Sequence, residues 1–150
     1  MQQTVNFFEA AIEGRTDLGA LGGSDETAAF LYEMAPGEAM CPYHYEYVEE
    51  WMLVIAGDAS VRTPDGEHTV GSGELVRFPA GPAGAHKISN RGEIRCRILF
   101  LSANKAPAVC VYPDSNKIRV WPGGDAENEL LFVRDMAVPW SHGEDGWDKA

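Results

Sequence analysis

His44-Tyr45-Glu46-Tyr47-Val48-Glu49-Glu50-Trp51 runs directly into the apolar segment Trp51 to Ala56 and is closed by Gly57. In an extended chain side chains repeat every second residue, so His44 and Glu46 share a face and Glu50 returns to it if the extension is kept. Three residues able to ligate a metal then converge on one side of a β segment. The same parity selects Glu50 over its neighbour Glu49. Tyr43, Tyr45 and Tyr47 are odd-numbered and point the other way, as packing or interface residues.

Outward from this stretch the pattern continues. Candidate strands are Ala28 to Met34, Tyr47 to Ala56, Ala59 to Thr63, Glu67 to Val70, Glu74 to Phe78, His86 to Ser89, Ile94 to Ser102 and Val109 to Tyr112, and 16 glycines and 9 prolines fall largely between them. Pro64-Asp65-Gly66 has hairpin chemistry, with Pro presetting one turn dihedral and Gly tolerating positive φ. Ile94-Arg95-Cys96-Arg97-Ile98 alternates apolar with charged residues, which puts one face on a core. About eight short strands without intervening helices predict an all-β, antiparallel barrel or two-sheet sandwich.

The chain's 150 residues fit one domain with a real core. Residues 1–27, polar and glycine-rich, read as an N-terminal arm with at most an edge strand, residues 28–120 as the barrel, and residues 121–150 as a C-terminal tail. Trp140 and Trp147 in that tail can each bury roughly 150–250 Å², which predicts that it packs on the barrel or on a partner subunit. A net charge of -11 disfavours nucleic acid and anionic lipid as partners. Trp51 to Ala56, the longest apolar run, falls far short of the roughly 20 residues of a membrane-spanning helix. The N-terminus lacks the pattern of a secretory signal, so a cytoplasmic location is expected. Cys41, Cys96 and Cys110 show no CxxC spacing and read as reduced, packed thiols, though Cys41 comes close enough to His44 to approach a barrel mouth.

About forty residues after His44 comes His86, preceded by Phe78-Pro79-Ala80-Gly81-Pro82-Ala83-Gly84 and followed by Asn90. No helix-opening GxxxxGK[ST] pattern follows these glycines, so they form a turn and not a phosphate cradle. With the first stretch, these residues resemble the two motifs of the cupin superfamily. A glycine near Gly37, then His44, Glu50 and Gly57 match the first motif, with Glu46 where a second histidine is expected. Gly73, Pro79, Gly81, His86 and Asn90 match the second, with two extra residues between Gly81 and His86. Tyr112-Pro113-Asp114-Ser115-Asn116-Lys117 and Asp135-Met136-Ala137-Val138-Pro139-Trp140 are similar to small single-domain cupins, a group that supplies little chemistry of its own.

The resemblance implies a double-stranded β-helix, or jelly-roll barrel, that binds one divalent transition metal through His44, Glu46, Glu50 and His86. Two imidazoles and two carboxylates suit iron, manganese or zinc, with nickel also compatible, and leave open positions for a small-molecule ligand. The implied function is an enzyme acting on a small polar organic substrate such as a carbohydrate or organic acid, by isomerase, lyase or dioxygenase chemistry, and no catalytic residue is assigned. The alternative is a non-catalytic binding or sensing module. A metal-free sugar-nucleotide epimerase would need a His–Asp pair that is not visible. Arg62, Arg77, Arg95 and Arg97 on strands are expected to face solvent, as are His68 and His142, and Asp114, Ser115 and Lys117 form a solvated turn. The edges of an open barrel and the tryptophan-bearing tail predict a homodimer.

Overall fold

The computed structural model describes residues 4–8 and 14–146; Trp147 lies outside them. Twelve strands and one short helix follow in the order β1 (Arg15–Asp17), α1 (Leu18–Gly22), β2 (Thr27–Met34), β3 (Tyr45–Glu46), β4 (Glu50–Ala56), β5 (Asp58–Thr63), β6 (Gly66–Gly71), β7 (Leu75–Phe78), β8 (Lys87–Ser89), β9 (Cys96–Ala103), β10 (Ala108–Tyr112), β11 (Lys117–Trp121) and β12 (Leu130–Val133). Every pairing is antiparallel. One sheet has the order β1-β2-β9-β4-β7. Opposite it lie β12-β11-β10-β3 and β6-β5-β8, joined by isolated bridges at His44–His86 and Ala39–Ser89. This all-β arrangement is a double-stranded β-helix.

Met34, Met52, Val54, Phe78, Cys96, Ile98 and Phe100 from the five-stranded sheet meet Ala59, Val61, Val70 and Ile88 from the facing strands. The alternation expected in β9 holds from Cys96 onward, since Cys96, Ile98 and Phe100 enter the core while Leu99 packs on the opposite face with Leu31, Ile55, Phe7 and Leu18. Ile94 departs from it and is 67% exposed in the preceding loop. On that outer face Arg97 stands opposite Glu33 and pairs with it, as does Arg95. The arm therefore supplies an edge strand, β1, and also a helix that the sequence pattern does not announce. Asp17 caps α1 by accepting a hydrogen bond from Ala20 N at 2.9 Å.

β4 begins at Glu50, because the chain bends at Tyr47 and Val48 as it leaves the β3 sheet for the five-stranded one. It ends in a bulge between Val54 and Ala56 where β4 pairs with β9. Gly57 follows at φ +74°, and a Cβ there would lie 2.5 Å from the Arg95 carbonyl oxygen, so only glycine fits this crossing. β11 and β12 extend the sheet beyond the last expected strand. Among the described residues no helix is long and apolar enough to cross a membrane.

Candidate metal centre

Two histidines define the site because the backbone puts them on one rung. His44 N donates to His86 O at 3.0 Å and His86 N donates to His44 O at 2.8 Å, and in such a directly opposed pair both side chains leave the sheet on the same side. Their ring centroids are 4.7 Å apart. The loop that delivers His86 is held tightly: Gly81 N donates to Glu46 O at 2.7 Å, and a Cβ on Gly84 would sit 1.8 Å from the Pro79 carbonyl oxygen. Asn90 is buried and closes the far side, donating to Met34 O and Ile94 O and accepting from Gly92 N. Its role is structural.

Each imidazole is oriented by its own backbone. His44 Nδ1 lies 2.9 Å from Pro42 O, and His86 Nδ1 lies 2.9 Å from Gly84 O. A carbonyl oxygen only accepts, so each Nδ1 carries the proton and each Nε2 presents a lone pair, the arrangement that metal-binding histidines adopt. His86 Nε2 is buried with no hydrogen-bond partner among the described residues, and its nearest charged neighbour is Glu50 Oε2 at 3.9 Å. Such an orphaned acceptor costs about 1–3 kcal/mol. Phe78 stacks on the His86 ring at 3.9 Å between centroids, and Phe100, itself stacked with Phe78 at 6.2 Å, flanks the ring at 5.8 Å.

His44, Glu46 and Glu50 line a cavity of about 290 Å³. Glu46 reaches it from β3, opposite Cys110 of β10, and Glu50 from the first position of β4, between Phe78 and Ser102. The bend at Tyr47 and Val48 means that Glu50 rejoins the ligand face through a change of sheet and not through a continuous strand. Ligand atoms of Cys41, His44 and His86 lie within 4.8 Å of one another, and so do those of His44, Glu46 and Cys110. The four expected residues thus form a chain, Glu46 to His44 to His86 to Glu50, with two thiols beside it.

Burial governs the charges. Burial, and secondarily the Glu46 carboxylate, pushes Glu50 up to about 8. Burial, aided by His44, pulls His86 down to about 4, and it lowers His44 as well, with Arg119 acting in the same direction. Glu46 is raised by burial and drawn back by Arg119. At neutral pH both rings are therefore neutral while Glu50 holds a proton. A divalent cation reverses these penalties, since it compensates the carboxylates and takes the imidazole lone pairs. This donor set fits such an ion. Burial holds Cys41 and Cys110 near 12, so both remain thiols without nucleophilic character.

Comparison with known proteins bears on this geometry, beginning with residues 30–102, which match the family model described as a cupin domain. The chain belongs to the cupin superfamily. Among solved structures, this cupin is similar to a sugar phosphate isomerase from Silicibacter pomeroyi, with 25% identity and a TM-score of 0.73 over 89% of this chain and 85% of that one. It is also similar to a candidate sugar phosphate isomerase from Acidithiobacillus ferrooxidans, with 24% identity and a TM-score of 0.75 over 83% and 78% of the two chains. Tetracenomycin polyketide synthase protein TcmJ of Streptomyces glaucescens is 29% identical over 83 residues, 54% of each chain. The cupin therefore spans about half the length of that curated relative.

The remaining expectations sort by place. Tyr43 and Tyr45 are buried in an outer cluster with Ala85 and Val111, and Tyr47 is exposed. Arg62 pairs with Asp114, Arg77 with Glu49, and Arg95 and Arg97 with Glu33, all outside the cavity. His68 and His142 are exposed. Sequence reasoning did not single out Cys110, Tyr112 or Arg119, although all three line the cavity. Their one signal is alternation, with Cys110 and Tyr112 two residues apart on β10. Which face of β10 turns inward depends on the pairing of Cys110 with Glu46, sixty-four positions away in sequence.

Proposed function

We propose that this cupin binds one divalent transition metal, iron, manganese or zinc with nickel also compatible, through His44, Glu46, Glu50 and His86. We propose further that it is an enzyme acting on a small polar organic substrate such as a carbohydrate or organic acid. The observation that carries the metal is the buried, unpartnered Nε2 of His86 facing Glu50 at 3.9 Å. When bound, the metal would polarise a substrate oxygen. Tyr112 is held protonated by its burial and supplies a hydroxyl donor to the cavity. Phe78 and Phe100 exclude water behind His86. The likeness to the Silicibacter protein brings isomerisation forward among isomerase, lyase and dioxygenase chemistry.

One metal ion per chain is expected by elemental analysis, with a stability gain of about 2.7 kcal/mol at one hundred times the dissociation constant. A chain that purifies without metal and melts at the same temperature with and without added metal would sink this reading.

The same reading takes residues 28–120 as the barrel that carries the site, residues 1–27 as the arm, and residues 121–150 as a tail that packs on the barrel or a partner subunit. It includes a homodimer in the cytoplasm. Support for the dimer comes from β12, a sheet edge whose Leu130, Leu131, Phe132 and Val133 are each about half exposed. An apolar edge strand of this kind invites strand pairing with another chain. Light scattering on the eluting protein should give twice the chain mass, and Phe132→Glu should halve it. A wild-type monomer would remove the dimer from the proposal.

A further inference from the structure

The cavity wall beside His44 is built from one row of the sheet. Cys110 stands opposite Glu46 on one side and opposite Arg119 on the other, so Glu46, Cys110 and Arg119 lie side by side across three strands, and all three line the cavity. β11 reads Lys-Ile-Arg-Val-Trp. Its alternation sends Ile118 to the outer apolar cluster with Tyr43 and Tyr45, while Arg119 and Trp121 line the cavity.

Arg119 is anchored and yet incompletely paired. Its Nη2 lies 2.8 Å from Glu129 Oε2, and its Nε is buried with no hydrogen-bond partner among the described residues. A guanidinium cannot shed its proton to escape that situation, and its planar fork matches an oxyanion. The charge around it points the same way. Arg15, Lys105 and Arg119 line the cavity against the two carboxylates Glu46 and Glu50. Lys105 makes no ion pair among the described residues. Three bases around one cavity run against a chain whose net charge is -11. If Glu46 and Glu50 are matched by a divalent cation, Glu129 offsets Arg119 and Asp17 offsets Arg15, so the charge left over is that of Lys105, while Arg119 keeps an unused Nε–H donor.

We infer that Arg119 binds an oxyanion group of the substrate, a phosphate or a carboxylate, with its Nε–H as the recognising donor and Lys105 adding charge at the opening. The inference rests on the metal-site reading for its charge balance and narrows the substrate to a small anionic molecule. The volume of about 290 Å³ holds about ten waters' worth of ligand at roughly 30 Å³ each. That suits an anionic group on a short carbon skeleton.

The test titrates inorganic phosphate and, separately, acetate into metal-free and metal-loaded wild type, Arg119→Met, Arg119→Lys and Lys105→Met, with metal content measured on each. Saturable binding of one of the two anions by metal-free wild type is expected. It should weaken at least tenfold in Arg119→Met and by less in Arg119→Lys and Lys105→Met, with metal content unchanged throughout. The anion that binds more tightly names the group. Equal affinity in wild type and Arg119→Met, or no saturable binding of either anion by wild type, overturns the inference. Arg119-dependent binding in a protein that takes up no metal supports the oxyanion site and overturns only the metal reading. Arg119→Lys, which keeps the charge and the long stem, guards against a folding defect in Arg119→Met.

Discussion

His86→Ala is expected to lower metal affinity by more than about 100-fold, since even removing a partner that merely orients a ligand costs about 10–100-fold. The metal-free variant should nevertheless fold. Deleting a buried aromatic ring costs about 3–5 kcal/mol in lost packing, here against Phe78 and Phe100. It also removes the unpartnered Nε2, which returns about 1–3 kcal/mol. The net loss is about 0–4 kcal/mol, which the stability of a typical domain, about 5–15 kcal/mol, absorbs. Isothermal titration with metal and a denaturant melt of the metal-free chains separate the two effects. If metal affinity stays intact in a folded His86→Ala chain, the ligand assignment is wrong.

Glu50 carries the second large effect, in the pH dependence of the metal-free chain. Its pKa in the fold, about 8, lies above the ordinary value of 4.5, so its contribution to stability is complete below 4.5 and is lost as pH rises through 8. His86 runs the other way: at about 4 against an ordinary 6.5, its contribution is complete above 6.5 and is lost as pH falls through 4. The contributions of these two groups together favour the window between 4.5 and 6.5. Each tenfold change in proton affinity between the folded and unfolded chain is worth about 1.4 kcal/mol. Glu50→Gln should therefore recover several kcal/mol of metal-free stability at pH 8 relative to pH 4.5 while losing metal. In the wild type, metal binding at pH 7 should release about one proton, from Glu50, and affinity should climb about tenfold per pH unit up to 8. Titrations in buffers of different ionisation enthalpy count that proton. A sequence-based expectation would assign acid sensitivity of binding between pH 5 and 8 to the histidines, but burial removes the titration of His86 from that range and lowers that of His44. An affinity that is flat from 5 to 8 would show that Glu50 is not a ligand.

Local rules made much of this legible. Period-two alternation located the inner face of β9 from Cys96 onward, Pro64-Asp65-Gly66 marked the β5–β6 hairpin, and strand parity grouped His44 with Glu46, whereas Glu50 reaches them by a change of sheet that parity does not describe. The two motifs added His86. What stayed hidden is non-local. The change of sheet between β3 and β4 depends on a bend at Tyr47 and Val48, a pair with no turn residue to announce it. β12 follows a run of Pro122, Gly123 and Gly124 that reads as the end of a barrel. Yet β12 pairs back onto β11 through Lys117–Val133 to Val120–Leu130. Arg119 was overlooked for the same reason: four other arginines sit on strands, and only the register with Cys110 tells which one turns inward.

The shared rung of His44 and His86 ties the ligand cradle to the closure of the molecule. That rung joins the β3 and β8 sheets, so the imidazoles cannot be brought together until the two sheets have met, nor parted while they stay joined. A nascent or partly opened chain would thus present scattered, ordinary side chains to passing cations. Capture is deferred until the seam has shut, and the ion, once held, would act as a rivet across it.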